Sequence, residues 1–452
     1  MNSIGATLTI LIALAVVAAP RLWAAIGVFA GICYVTQGQQ IYTLGFHFTA
    51  IRIVLLAAFV RCLLRREFKG LTINPIDKAL VGYALSLFCI YTIRMASTQA
   101  FVYMLGVAYD VLLAYWVFRC LIRSLEEARE FIGRLAFLIV PFAALMLLES
   151  LTGHNVFRAM GGQGWEQDVI REGRLRCVCS FRGPHSAGIF GATMAPLFVA
   201  LWFTNGRRMA LVLGLAASAI VTFTSNSSGP LTAFVSGWIG LSFWRFRTDM
   251  KLVRRGIVAT LLLLQLVMKA PVWFIFMKMG GLLGGDGYTR SYVIDQTIRH
   301  FSEWWLLGTQ NTIRWSDPEA IGELDLTDQY VAAAITGGLL TLIFYILIFV
   351  RCYQGLGAAM RAVREHSPAS EALLWCLGAT LFAHVMALFT VGYFDQVQVY
   401  WWGLVAIISS VSSETVHHAE SIHASNHMEE IPDEAKGLHK FQNHEPLFPP
   451  VR

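Results

Sequence analysis

Residues 327–350 read TDQYVAAAITGGLLTLIFYILIFV, with no charged residue between Asp328 and Arg351. A helix that crosses the hydrocarbon of a bilayer needs about 20 apolar residues, and this stretch supplies them in one run. Similar runs fall at about 4–18, 22–36, 47–64, 78–95, 101–119, 131–151, 186–204, 209–224, 230–244, 257–277, 371–390 and 395–412. The pattern predicts an all-α polytopic membrane protein with about 12 to 14 transmembrane helices. Composition agrees: of 452 residues 56% are hydrophobic and 14% charged, with a mean hydropathy of +0.57. A soluble chain carries about 25% charged residues. A closed β-barrel is excluded, because barrel strands alternate in short segments rather than forming long apolar runs.

Basic residues set the expected orientation. The connectors 65–78, 119–134, 205–208, 245–255 and 351–365 together hold 18 Lys and Arg, and the long segments 152–185 and 278–326 hold 9. The connectors are therefore expected on the cytoplasmic side and both long loops facing outward. Residues 1–413 then form the transmembrane domain. Residues 414–452, rich in His and Pro and without apolar periodicity, read as a disordered cytoplasmic tail. No Lys or Arg precedes the first apolar run, so a cleaved signal peptide is not expected. The net charge of +6 marks topology, and no aromatic–basic module suggests a nucleic-acid partner. No internal repeat supports a transporter built from two halves. Cys177 and Cys179 are spaced too closely for a zinc site or an easy local disulfide, and the eight cysteines read as small buried hydrophobes.

The second long loop holds the most patterned polar stretch, residues 284–330, GGDGYTRSYVIDQTIRHFSEWWLLGTQNTIRWSDPEAIGELDLTDQY. Ile294, Ile298, Phe301 and Trp305 recur at helical spacing on one face, and Asp295, Arg299 and Glu303 line another. Trp304 and Trp305 are the residue type that settles at a membrane–water boundary. Arg290 opens this helix, where the backbone N–H groups already favour an anion. Arg299 is placed to pair with Asp295 or Glu303. In the first long loop Arg158, Arg171, Arg174, Arg176 and Arg182 face Glu166, Asp168 and Glu172, with His154 and His185 beside them. Guanidinium forks suit a diphosphate, whereas ion pairs with the nearby acids are the bland alternative. Arg52 and Asp110, inside apolar runs, read as a pair across helices, and Lys269 beside Pro271 reads as snorkelling. Asp395, in the turn Gly392–Gln396, falls on the same side as the long loops.

An arginine, an amphipathic helix, Leu-Leu-Gly and a polar loop, then Asp-Leu-Thr-Asp-Gln-Tyr leading into a membrane helix, resemble the large periplasmic loop of the O-antigen ligase/polymerase family. Glu149–Asn155 (ESLTGHN) and Arg174–Gly188, ending Phe-Arg-Gly-Pro-His-Ser-Ala-Gly, are similar to the family's first loop. The resemblance implies a metal-independent inverting glycosyltransferase without cofactor. Its donor would be an undecaprenyl-diphosphate-linked glycan and its acceptor a second glycan or a lipid. An exopolysaccharide or O-antigen polymerase is the leading expectation, an O-antigen ligase the alternative, and a polysaccharide or lipid transporter the rival from another class. Chain-length regulators and export proteins would be partners besides membrane lipids.

The resemblance puts the diphosphate on Arg290, with Arg174, Arg176 and Arg182 in support. Where many members carry His-Asn near the end of the second loop, this chain has Asp328-Gln329, then Tyr330. The base is therefore open among Asp328, Asp325 and His185, with an N-cap role as the competing reading of either aspartate. Asp395 is a candidate third carboxylate. The turn Ser225–Gly229 lacks an arginine that several relatives carry there.

Overall fold

The structure is a computed structural model that describes residues 2–43, 46–161, 170–171, 173–204, 206–275, 277, 287–315 and 328–429. The helices are α1 (Ser3–Ala18), α2 (Arg21–Tyr34), α3 (Ala50–Leu64), α4 (Pro75–Met95), α5 (Thr98–Leu121), α6 (Leu125–Thr152), α7 (Pro184–Val199), α8 (Arg208–Thr224), α9 (Ser228–Ser242) and α10 (Met250–Val267). They are followed by α11 (Gly287–Arg299), α12 (Phe301–Trp304), α13 (Gln329–Val363), α14 (Pro368–Ala387) and α15 (Asp395–Glu429). Two short antiparallel hairpins complete it, β1 (Gln40–Thr43) with β2 (Phe46–Thr49), and β3 (Ile170–Arg171) with β4 (Arg174–Leu175).

Among the described residues six helices are long and apolar enough to cross a membrane: α4, α5, α6, α13, α14 and the stretch Pro184–Phe203. Shorter apolar helices, α1, α2 and α8, stand among them. The chain is an all-α polytopic membrane protein. Local sequence explains where helices start. Asn74 accepts from the backbone N–H of Ile76 and Asp77 while Asp77 accepts from that of Asn74, a reciprocal cap ahead of α4. Ser97, Ser124 and Ser367 cap α5, α6 and α14 by accepting from the backbone N–H of Ala100, Glu127 and Ser370. Gly153, at φ 72°, ends α6 in the left-handed region.

Helices approach closely where a side chain is missing. A Cβ on Gly82 would meet the Phe344 ring at 2.5 Å, and one on Gly403 would meet Phe118 at 2.8 Å. Aromatic rings fill the interior, with Phe29 edge-on to Phe118, Phe131 and Tyr400. Large apolar side chains such as Leu85, Leu147, Leu340 and Ile343 point outward, as a lipid-facing belt requires.

Contacts sort into two ends. At one, Arg119 pairs with buried Asp77 at 3.0 Å, Asn74 reaches Ser409, and Arg247 and Arg364 share Glu371. The basic connectors lie here. At the other end lie the first long loop and the 225–227 and 388–394 turns: Ser180 donates to the Cys33 carbonyl, Gln396 to those of Val35 and Ser180, and Asn2 to that of Ala159. Arg52 grips Asp110 through two nitrogens, so the expected cross-helix pair forms.

Four expectations change. The run 257–277 is not one helix: the α-helix that enters it begins at Met250 and ends at Val267, and a 3-10 turn follows at Val272–Phe274. Pro271 lies between the two, and proline disfavours a helical conformation in the residue before it. The amphipathic helix breaks at His300, and its polar face is not uniformly exposed. Asp295 is buried, accepting from Trp273 and pairing with Arg299 at 2.6 Å, whereas Ile298, Phe301 and Trp305 are exposed. Helix α13 is interrupted at Gly338, with φ 69° and ψ −175°. The start of the tail moves, because α15 runs past Glu414 to Glu429. Extending an existing helix costs far less than nucleating one, and no proline follows until Pro432.

Candidate functional site

The site is built at the loop end from three separate pieces of chain. The first is the strand of loop leading into α7. Glu149, at the end of α6, accepts from the backbone N–H of Val178 and Cys179 at 3.1 and 2.8 Å. Asn155 donates to the Cys179 carbonyl at 2.9 Å, and Cys177 N–H donates to the Thr224 carbonyl at 3.1 Å. Both cysteines are free thiols and buried, and burial raises the Cys177 thiol to about 12. These bonds hold Arg176 in place. Glycine lets α7 come close, since a Cβ on Gly188 would meet Ser225 Oγ at 2.3 Å.

Arg176 Nη2 donates to Ser227 Oγ at 2.7 Å and to His185 Nε2 at 2.9 Å. A guanidinium only donates, so Nε2 accepts and the ring proton sits on Nδ1. The Nε of Arg176 is buried without a hydrogen-bond partner among the described residues. Burial, then the Arg171 charge, lowers the Arg176 pKa from its usual value. That environment disfavours a bare cation, and an anion would relieve it.

The second piece is the start of α13. Asp328 Oδ1 accepts from the backbone N–H of Tyr330 at 2.7 Å and of Val331 at 3.0 Å, so the N-cap role is filled by one oxygen. The other, Oδ2, is buried without a hydrogen-bond partner among the described residues, and the whole residue is only 1% exposed. Burial raises its carboxyl to about 6, against the opposing pull of the two backbone donors and of Arg290. Gln329 accepts from Tyr393 N–H at 2.8 Å, and the Tyr330 hydroxyl donates to the Val385 carbonyl at 3.1 Å. The α14–α15 turn thereby fixes this end of α13.

The third piece is α11, which carries Arg290 in its first turn. Arg290 is within electrostatic reach of both Asp328 and His185, and Arg171 and Arg176 also act on His185. Arg176, His185, Arg290 and Asp328 thus form one neighbourhood. Other candidates fall elsewhere. Arg182, exposed, lies 3.9 Å from Asp395 and over the Phe394 ring. Asp395 also feels Arg52 and Asp110, so the two belong to a separate patch. The Arg174 side chain is exposed on β4. Asp325, like Glu166, Asp168 and Glu172, lies outside the described residues.

Sequence reasoning did not single out Ser227 as a partner. Its signal was present only indirectly, in a Ser-Asn-Ser-Ser-Gly turn noted for lacking an arginine. The structure brings one there from the first loop, as Arg176. Among the described residues no group of three or more His, Cys, Asp or Glu is arranged to hold a metal ion. No protein-family model matches the chain, and no curated protein matches it.

Proposed function

We propose that this chain is a membrane-embedded glycosyltransferase that lengthens a glycan from an undecaprenyl-diphosphate-linked donor, working as an exopolysaccharide or O-antigen polymerase on the periplasmic face of a bacterial inner membrane. The observation that carries the reading is that two loop arginines, Arg176 and Arg290, act on His185, while Arg290 also acts on a buried carboxylate with one oxygen left without a hydrogen-bond partner among the described residues.

In this scheme Arg290 and Arg176 hold the diphosphate at the loop end, where the polyprenyl chain enters the bilayer. The acceptor hydroxyl gives its proton to Asp328 Oδ2, and its oxygen bonds to the anomeric carbon from the face opposite the diphosphate. The bond from that carbon to the diphosphate oxygen breaks, and polyprenyl diphosphate departs with the bonding electrons. One attack of this kind inverts the anomeric centre. Charge grows on the leaving group, where fixed donors act most strongly. A carboxyl that titrates at about 6 is ionised at neutral pH and basic enough to assist a hydroxyl. His185, with Nε2 engaged by Arg176, positions that arginine.

A ligase with a lipid acceptor would use the same donor half of the site. The transporter reading has one observation in its favour, the interrupted α13, since broken helices line transport sites. Here the groups freed by the break are already bonded within the protein, as set out below, and do not face a substrate. The test is a strain lacking this chain. The reading requires single lipid-linked units to accumulate with loss of polymer, and purified protein to rebuild polymer from those units. Normal polymer length in that strain would refute it.

A further inference from the structure

In a continuous helix the Leu339 N–H would donate to the Ile335 carbonyl four residues back. At the Gly338 break both groups go elsewhere. Leu339 N–H donates to the Trp305 carbonyl at 2.8 Å, and the Ile335 carbonyl accepts from Thr309 N–H at 2.8 Å. The turn Trp305–Thr309, which follows α12, is therefore spliced into α13 in place of the Leu339–Ile335 hydrogen bond. Arg94, at the end of α4, clamps the splice: its Nη1 donates to the Ile335 carbonyl at 2.8 Å and to the Leu307 carbonyl at 3.1 Å.

Two glycines make room for the splice. A Cβ on Gly308 (φ 70°) would sit 2.0 Å from the Ile335 carbonyl oxygen, and one on Gly338 (φ 69°) would sit 2.6 Å from that of Leu306. Both the close approach and the left-handed backbone call for glycine.

We propose that this splice is a reversible dock in which Arg94 and Gly338 act as positioning residues, holding the α11–α12 segment, and with it Arg290, against the Asp328 end of α13. Undocking leaves no orphaned backbone group at the break. When the turn withdraws, Leu339 N–H and the Ile335 carbonyl regain each other and α13 closes into an unbroken helix. Docked and undocked forms thus satisfy the same α13 groups in two discrete ways, which is the condition for a two-state element. Arg94 has no acidic side-chain partner among the described residues, and its Nε is buried without a hydrogen-bond partner. Its bonds to the two carbonyls bias the balance towards the docked form. The consequence for chemistry rests on the glycosyltransferase reading, but the dock does not.

Hydrogen–deuterium exchange of the full chain in lipid nanodiscs tests it, without reference to activity. In Arg94→Gln, peptides spanning Thr309 are expected to exchange at least about tenfold faster, the loss of a charge-assisted hydrogen bond. The Leu339 amide should stay protected, because it regains Ile335. Gly338→Ala should act in the same direction, since alanine penalises the broken form and suits a continuous helix; Arg94→Gln serves alone if that variant misfolds. Unchanged exchange at Thr309 in Arg94→Gln would overturn the dock. Equal loss of protection at Thr309 and Leu339 would also overturn it, by showing local unfolding rather than exchange of partners. Normal exchange changes in a chain that makes no polymer would leave the dock standing and sink only the enzyme reading.

Discussion

Asp328→Asn separates the two roles that Asp328 can play. The carboxylate caps α13 with Oδ1 and leaves Oδ2 without a hydrogen-bond partner among the described residues. Asparagine keeps a carbonyl oxygen for Tyr330 and Val331 N–H and caps a helix about as well as aspartate. Stability is set by two further effects. Burial raises the carboxyl from 3.8 to about 6, so the ionised group carries a penalty of roughly 3 kcal/mol at neutral pH that the amide lacks. Against this, the new amide N–H₂ replaces Oδ2 in a buried position, at about 1–3 kcal/mol if it finds no acceptor. The terms oppose each other at similar size, so Asp328→Asn should unfold within roughly 2 kcal/mol of wild type.

The pH dependence carries the sign. A carboxyl whose folded pKa lies above its unfolded value binds its proton more tightly when folded. Wild type therefore gains stability as pH falls from about 6 towards about 4, and is penalised fully above about 6. Asp328→Asn should lack that component. Turnover should move the other way: wild-type rate should fall as pH drops through about 6, and the variant should lose on the order of a hundred- to ten-thousandfold at neutral pH. The assay is polymer formation from purified lipid-linked units by protein in nanodiscs between about pH 4.5 and 8, with thermal unfolding on the same samples. A stable Asp328→Asn protein with near wild-type turnover would leave Asp328 as a cap and nothing more.

Arg290→Ala should cost about a hundred- to a thousandfold in rate with normal expression, and Arg290→Lys should restore part of it, because an ammonium keeps the charge but loses the fork. Full activity in Arg290→Ala would return α11 to an interfacial helix without chemistry. Turnover should survive EDTA, since the scheme assigns the leaving-group charge to arginines; loss with EDTA and rescue by magnesium would refute that assignment. For orientation, cysteine at exposed position 310 should react with an impermeant reagent on intact cells, and cysteine at exposed position 417 should not, in a chain with exposed Cys89 replaced. The opposite pattern would put the donor headgroup on the wrong side.

The membrane class was legible because lipid imposes a rule on every residue of a spanning helix, and the run after Asp328 obeys it. The same rule hides the break at Gly338. Glycine in an apolar run reads as part of a helix, and only the distant Trp305–Thr309 turn shows that the ladder is cut. Asp295 looked like surface charge at helical spacing with Arg299, yet Trp273 covers it. The Arg52–Asp110 pair could be anticipated, since two charges within neighbouring apolar runs have few other partners. The site was legible in its parts and not in its assembly. Arg290 and Asp328 stood out one at a time, but Arg176 and Ser227 are 51 positions apart. Nothing local says that a guanidinium from the first loop lies against that turn, while Arg182, equally prominent in sequence, goes to Asp395.

That partition has a chemical consequence. Arg182 brings its own counter-charge, with Asp395 3.9 Å away. Around His185 the arrangement is of another kind: Arg171, Arg176 and Arg290 all act on the ring, and Asp328, which feels Arg290, keeps one oxygen without a hydrogen-bond partner among the described residues. The Asp328 carboxyl rises to about 6 despite Arg290, because burial outweighs the arginine there. The site therefore sets arginines of the first loop and of α11 next to a carboxylate able to take up a proton. A doubly charged diphosphate beside a neutral, hydroxyl-bearing acceptor answers both features at once, which is the physical reason for preferring a transferase on a lipid-linked donor to a carrier of neutral solutes.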